Sequence, residues 1–204
     1  MIRRPPRSTH CISSAASDVY KRQHGTVIGG ALVSRDSDFI ENGGGALVRY
    51  MGAVPSALDC WLTGIGLKTL PLRMREHCSN ARVLAEYLDT HPKVVETYWP
   101  GLAGHPQHEV AARQMDDFGA MLSIELGGYD SACRFMDGLE MASLAVSLGN
   151  VDTLVQHPAS MTHRLWPPED RLAVGITDGL VRISVGLEDP ADILVDFERA
   201  LSGV

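Results

Sequence analysis

Residues 180–187, LVRISVGL, decide how this chain has to fold. On an extended backbone Val181, Ile183, Val185 and Leu187 point one way, and Leu180, Arg182, Ser184 and Gly186 point the other. The alternation predicts a strand with one apolar face against a core and a second face bearing a guanidinium and a hydroxyl. Directly after it, Pro190 opens an amphipathic stretch to about Leu201. Proline suits the first turn of a helix, and Ile193, Leu194 and Phe197 supply the apolar face.

Further strand candidates lie upstream at Val94–Tyr98 and at Met121–Leu126, the latter closed by Gly127-Gly128. Ser131–Leu139 reads as a short helix. Between Cys60 and Leu88 the period is helical: Leu70, Met74, Cys78, Ala81, Ala85 and Leu88 form one apolar stripe. Arg73, Arg75, Glu76, Arg82 and Glu86 fall mostly off it, and Gly64 and Gly66 are expected to break the stretch into two helices. TVIGGALV (26–33) reads as a buried strand with a Gly-Gly break, and the polar Ser34–Gly45 as a loop. Strands mixed with helices make an α/β or α+β layered domain. There are no internal repeats.

The composition sets outer limits. The chain has 204 residues, 45% hydrophobic and 21% charged, enough for one large domain or for a domain and a piece of another. A formal net charge of −7 argues against a nucleic-acid partner. No apolar run approaches the roughly 18 residues that a membrane span needs. Cys11, Cys60, Cys78 and Cys133 lack CxxC spacing, which suits reduced thiols in a cytoplasmic protein better than a disulfide frame or a zinc site.

Residues 1–23, MIRRPPRSTHCISSAASDVYKRQ, differ from the rest. Arg3, Arg4, Arg7, Lys21 and Arg22 face a single acid, Asp18, and no helical or strand period is visible. Such a composition suits a transit peptide. DVYKRQ (18–23) also resembles the translation of a transposase-type sequencing adapter, and the expectation is a non-native leader.

Few residues announce chemistry by themselves. His105 and His108, in HPQH, have a spacing that places two imidazoles on one helical face, but no thiol or acid joins them at metal-ligand spacing. His157 and His163 bracket HPASMTH. That segment suits a metal or acid–base role, or a loop in which Ser160 and Thr162 make local backbone hydrogen bonds. GxSxG, P-loop and GxGxxG motifs are absent, and Gly43-Gly44-Gly45 is only a flexible loop. Arg182 is the strongest candidate, since a rigid strand is a good mount for a guanidinium that meets a carboxylate with two prongs. The alternative is an exposed strand arginine without a function.

Six blocks taken together resemble the Cys/Met-metabolism PLP-dependent family, which includes methionine γ-lyases, cystathionine γ-synthases and γ-lyases, and homoserine sulfhydrylases. They are HGTVIGGALV (24–33), GLKTLPLRMREHCSNARVLAEYL (66–88), YWPGLAGHPQHEVAARQM (98–115), FGAMLSIELGG (118–128), SLGNVDTLVQHPASMTH (147–163) and GITDGLVRISVGLED (175–189). The resemblance runs from His24 to the end of the chain and implies pyridoxal phosphate (PLP) as cofactor. It implies that 24–60 are the end of the large, type I aminotransferase-like domain. Residues 61–204 would then be the connecting helix and a small α/β domain. The family's Schiff-base lysine stands in a Ser-x-Thr-Lys block whose register falls on Val19 here. Lys21 lacks that context, and no catalytic or cofactor-binding residue carries over.

Substrate contacts do carry over. Arg182 matches the arginine that clamps the amino acid's α-carboxylate, Ser147 matches the serine that supports the same group, and Thr162 lines the same pocket. PLP catalysis breaks bonds around Cα, so the carboxylate must be pinned to set which bond breaks. Val146 stands where cystathionine-handling members carry a glutamate and methionine γ-lyases an apolar residue. A buried valine there suits a thioether methyl tail. The resemblance therefore implies a carbon–sulfur lyase of the methionine γ-lyase kind, acting on a small sulfur amino acid and self-associating into tetramers built from dimers. Ile65 stands where relatives carry an arginine, so the helix junction and any subunit contact at that position do not carry over. A non-catalytic α/β module that binds amino acids or partners is the alternative from another class.

Overall fold

The computed structural model describes residues 12–15, 31–52 and 54–204, which fall into two compact units, Met1–Leu70 and Pro71–Val204. In the first unit, β1 (Ile12–Ala15) pairs antiparallel with β2 (Ala31–Ser34), from Ile12↔Ser34 to Ala15↔Ala31. A strand therefore forms at 12–15, where the sequence shows no period; ladder hydrogen bonds are made by the main chain and need no side-chain alternation. Of the strand expected at 26–33, only the end lies among the described residues.

The loop expected at 34–45 is instead helical, a π-helical turn (Phe39–Gly44) running into α1 (Gly45–Met51). Local side chains organise it. Asp36 Oδ1 accepts the Phe39 N–H at 3.1 Å, and Asn42 Nδ2 donates to Asp38 Oδ1 at 2.6 Å. A capping box starts α2 (Ala57–Lys68): Ser56 Oγ accepts from Asp59 N, and Asp59 Oδ2 accepts from Ser56 N, both at 3.1 Å. Gly64 and Gly66 lie inside α2, and the break comes later, at Thr69. Glycine weakens a helix without ending it, whereas Pro71 has no N–H with which to continue the helical ladder back to Leu67.

The second unit opens with α3 (Leu70–Asp89). Its buried arc is wider than the apolar stripe, because Arg73, His77 and Asn80 are buried beside Cys78, Ala81, Leu84, Ala85 and Leu88. His77 and Asn80 reach the end of the central strand. His77 Nδ1 donates to the Val185 carbonyl at 2.7 Å, and Asn80 Nδ2 donates to the Gly186 and Glu188 carbonyls.

The strands of this unit are β3 (Glu96–Tyr98), β4 (Met121–Glu125), β5 (Ser143–Leu144), β6 (Leu154–Gln156) and β7 (Leu180–Ser184). They form one sheet in the order β3-β4-β7-β6-β5, antiparallel except at β5–β6. Helices α4 (His108–Gln114), α5 (Tyr129–Asp137), α6 (Pro168–Ala173) and α7 (Pro190–Ser202) complete the unit. One sheet face is the core: Leu122, Ile124, Val155, Val181 and Ile183 meet Phe135 of α5 and Phe197 of α7. Those two rings pack edge to face at 5.5 Å. The opposite sheet face carries the polar residues of the same strands.

Candidate substrate-carboxylate site

The polar face is a row set by strand register. Ser123 of β4 and Gln156 of β6 lie directly opposite Arg182 of β7. Residues opposed in this way share one face of the sheet. Arg182 is half-buried rather than an exposed strand arginine, because the segment after β5 covers part of its face. Its Nη2 donates to the main-chain carbonyls of Ser147 at 2.7 Å and of Val146 at 3.3 Å. Two residues along, the Ser184 hydroxyl accepts the Gly149 N–H at 2.8 Å. Gly149 has φ 72, a left-handed turn that glycine takes without strain. The Ser147–Gly149 turn therefore hangs from β7 by two side chains. Burial lowers the pKa of Arg182 from its usual value, and a guanidinium remains protonated at neutral pH.

Arg182 thus meets Ser147 and Val146 through their carbonyls, leaving their side chains exposed. Val146 is 55% exposed, not buried as expected, since it follows the two-residue edge strand β5 and this unit puts little over it. Thr162 joins the group indirectly: its Oγ1 accepts from Gln156 Nε2 at 2.8 Å. Ser184 shares the Arg182 face as the alternation predicts, whereas Gln156 carries no signal in the sequence. Its place depends on the β6–β7 pairing, which no local pattern reveals.

The histidines divide. His108 begins α4, stacks on Phe118 at 5.2 Å and meets the Pro100 carbonyl with Nδ1 at 2.8 Å, while His105 Nδ1 accepts the Gln107 N–H at 3.2 Å. Both serve the local chain. His157 is buried. Its Nε2 donates to the Asp178 carbonyl at 2.9 Å and its Nδ1 faces Ser160 Oγ at 2.8 Å while accepting the Ser160 N–H. A carbonyl only accepts and an N–H only donates, so the Nε2–H tautomer is fixed. Ser160 and Thr162 thus bond to neighbouring side chains rather than only to the backbone. Among the described residues no His, Cys, Asp or Glu group could hold a metal ion.

The donor set suits an amino acid's carboxylate, not the cofactor itself. Lys93 Nζ donates to the Val204 carbonyl at 2.7 Å, and Lys68 closes α2. Neither stands in a Ser-x-Thr-Lys block, so the described residues do not by themselves make a site for PLP. They offer a strand-mounted guanidinium with two main-chain carbonyls holding one of its prongs.

Known proteins share this arrangement of elements. The L-methionine gamma-lyase of Fusobacterium nucleatum subsp. nucleatum is 47% identical over 188 residues, 91% of this chain and 47% of that protein. The crystal structure of a cystathionine gamma synthase from Xanthomonas oryzae pv. oryzae, in complex with aminoacrylate and cysteine, superposes with a TM-score of 0.85 at 45% identity. The match covers 94% of this chain and 49% of that one. A cystathionine gamma lyase from Micromonospora echinospora gives a TM-score of 0.88 at 43% identity over 95% of this chain and 50% of that one. The chain spans about half the length of the relatives it matches. A family model matches residues 12–202, reaching ahead of His24 where the resemblance in the sequence begins. With sequence and overall fold in agreement, the chain belongs to the Cys/Met metabolism PLP-dependent enzymes.

Proposed function

We propose that this chain is the substrate-carboxylate part of a carbon–sulfur lyase of the methionine γ-lyase kind. The whole enzyme converts methionine and water to methanethiol, a 2-oxo acid and ammonia. The observation that carries the reading is the Arg182 guanidinium, fixed to the Val146 and Ser147 carbonyls on the polar face of β7. In this reading Arg182 takes the α-carboxylate with its free prongs, Ser147 supports it, and Thr162 closes the pocket through Gln156. PLP, when bound to the complete enzyme, supplies the electron sink.

Relatives named for methionine and for cystathionine lie at nearly equal identity, so overall likeness does not choose the substrate. Val146 does. An apolar side chain offers nothing to the distal ammonium of cystathionine and tolerates a methyl thioether. Cystathionine γ-synthase, γ-lyase or homoserine sulfhydrylase activity is the second reading. Dimers paired into tetramers, a cytoplasmic location and a foreign leader at residues 1–23 belong to the same proposal. The leader reading predicts genomic sequence ahead of the His24 codon that encodes Ser-x-Thr-Lys in frame.

The functional test uses residues 24–204 joined to the amino-terminal half of the Fusobacterium nucleatum relative and loaded with PLP. Methionine should be cleaved with a higher kcat/KM than cystathionine. A preference for cystathionine would transfer the chain to the second reading.

A further inference from the structure

Two buried polar atoms on the site's strands lack partners among the described residues. They are the Arg182 Nε–H, a donor, and the Gln156 Oε1, an acceptor. They are complementary, and they belong to residues directly opposed in the β6–β7 ladder, whose side chains rise from the same face at close separation. Gln156 is only 2% exposed, and its amide is already oriented, because Nε2 donates to Thr162 Oγ1 and so turns Oε1 away from that hydroxyl. Buried polar atoms rarely stay unpaired. The geometry points to Gln156 as the positioning residue for Arg182: its Oε1 takes the Nε–H, directly or through one water, when the guanidinium receives a substrate carboxylate.

This inference rests on the carboxylate-clamp reading and extends it. Arg182 is held from two sides. The Val146 and Ser147 carbonyls take Nη2, and Gln156 takes Nε, which fixes the plane of the guanidinium and leaves Nη1 to lead the contact with substrate. The chain Thr162–Gln156–Arg182 then links the loop after β6 to the clamp without Gln156 touching the substrate. A planar donor aims its remaining N–H groups at a carboxylate only when its tilt is set.

Calorimetric binding to the PLP-loaded joined enzyme tests this with two ligands that cannot be cleaved. L-Norleucine carries the carboxylate; pentylamine is the same molecule without it. Gln156→Leu should weaken norleucine about tenfold while leaving pentylamine within about twofold. Equal weakening of both, or no change in either, overturns the positioning role. Arg182→Lys is measured alongside. If it shifts the norleucine-to-pentylamine ratio and Gln156→Leu does not, only this inference falls. If Arg182→Lys leaves the ratio unmoved, the clamp reading falls with it. Should the leucine variant fail to fold, Gln156→Met keeps the length, removes the amide and takes the same measurement.

Discussion

At the scale of single residues, the candidate site was legible where strand alternation exposed it and hidden where register created it. Arg182 stood out as a guanidinium in an apolar alternation, whereas Gln156 sits beside an ordinary His-Pro turn and gains meaning only from its partner strand. Arg182→Lys keeps the charge and loses the planar fork. In the joined enzyme kcat/KM for methionine should fall at least about tenfold, about 1.4 kcal/mol of transition-state stabilisation, with PLP still bound. Wild-type kinetics would return Arg182 to a scaffold role. Val146→Glu should move the ratio of kcat/KM toward cystathionine. The new carboxylate meets a distal ammonium in one substrate and stands unpaired against a thioether in the other. Because Val146 is open within this unit, an unmoved ratio would show that the wall lies elsewhere. His77 offers a test on stability. Burial, chiefly, and the nearby Arg73 charge lower its pKa below the ordinary 6.5, outweighing the Val185 carbonyl and Glu188, which raise it. Between the folded value and 6.5 the unfolded chain binds a proton that the folded chain does not, so stability rises with pH across that window and is lost on acidification. Denaturant midpoints at about pH 5.5 and 7.5 should differ less in His77→Gln than in wild type; equal differences would remove His77 from the account.

At the scale of elements, the sequence resolved what periodicity can encode. The first five residues of LVRISVGL became β7, which ends at Ser184, Pro190 began α7, and the stripe from Leu70 to Leu88 became α3. It misread Ser34–Gly45, where Asp36 and Asn42 stabilise turns that the glycines suggested were loose. Arg73 falls off the apolar stripe and is nonetheless buried, which an apolar period cannot register. The short α4, β5, β6 and α6 carry too few residues for a period to show. Element junctions are held by side chains in the same hidden way. Asp196 of α7 is buried and accepts the main-chain N–H groups of Glu140, Met141 and Ala142, just before β5. Asp196→Ala leaves those donors without their acceptor and should cost about 2–4 kcal/mol in chemical denaturation. A loss under about 0.5 kcal/mol would mean that water replaces the carboxylate.

At the scale of the whole molecule, the chain spans about half the length of the relatives it matches. Its lysines are Lys21, Lys68 and Lys93, and none stands in the family's lysine block. The 204-residue chain mixed with PLP and borohydride should give no adduct confined to one lysine and should release no methanethiol from methionine; a unique labelled lysine would contradict this. The two attachments of the Ser147–Gly149 turn to β7 have an evolutionary consequence. They fix the main chain on either side of the turn through carbonyls and an N–H that every residue possesses, so the identity of the neighbouring side chain at 146 is free to vary while the turn stays in place. On the proposed clamp reading, a lineage can therefore exchange valine for glutamate there by single mutations without first remodelling the anchor, and descendants that diverge in the sulfur compound they prefer would inherit the same grip on the amino-acid end.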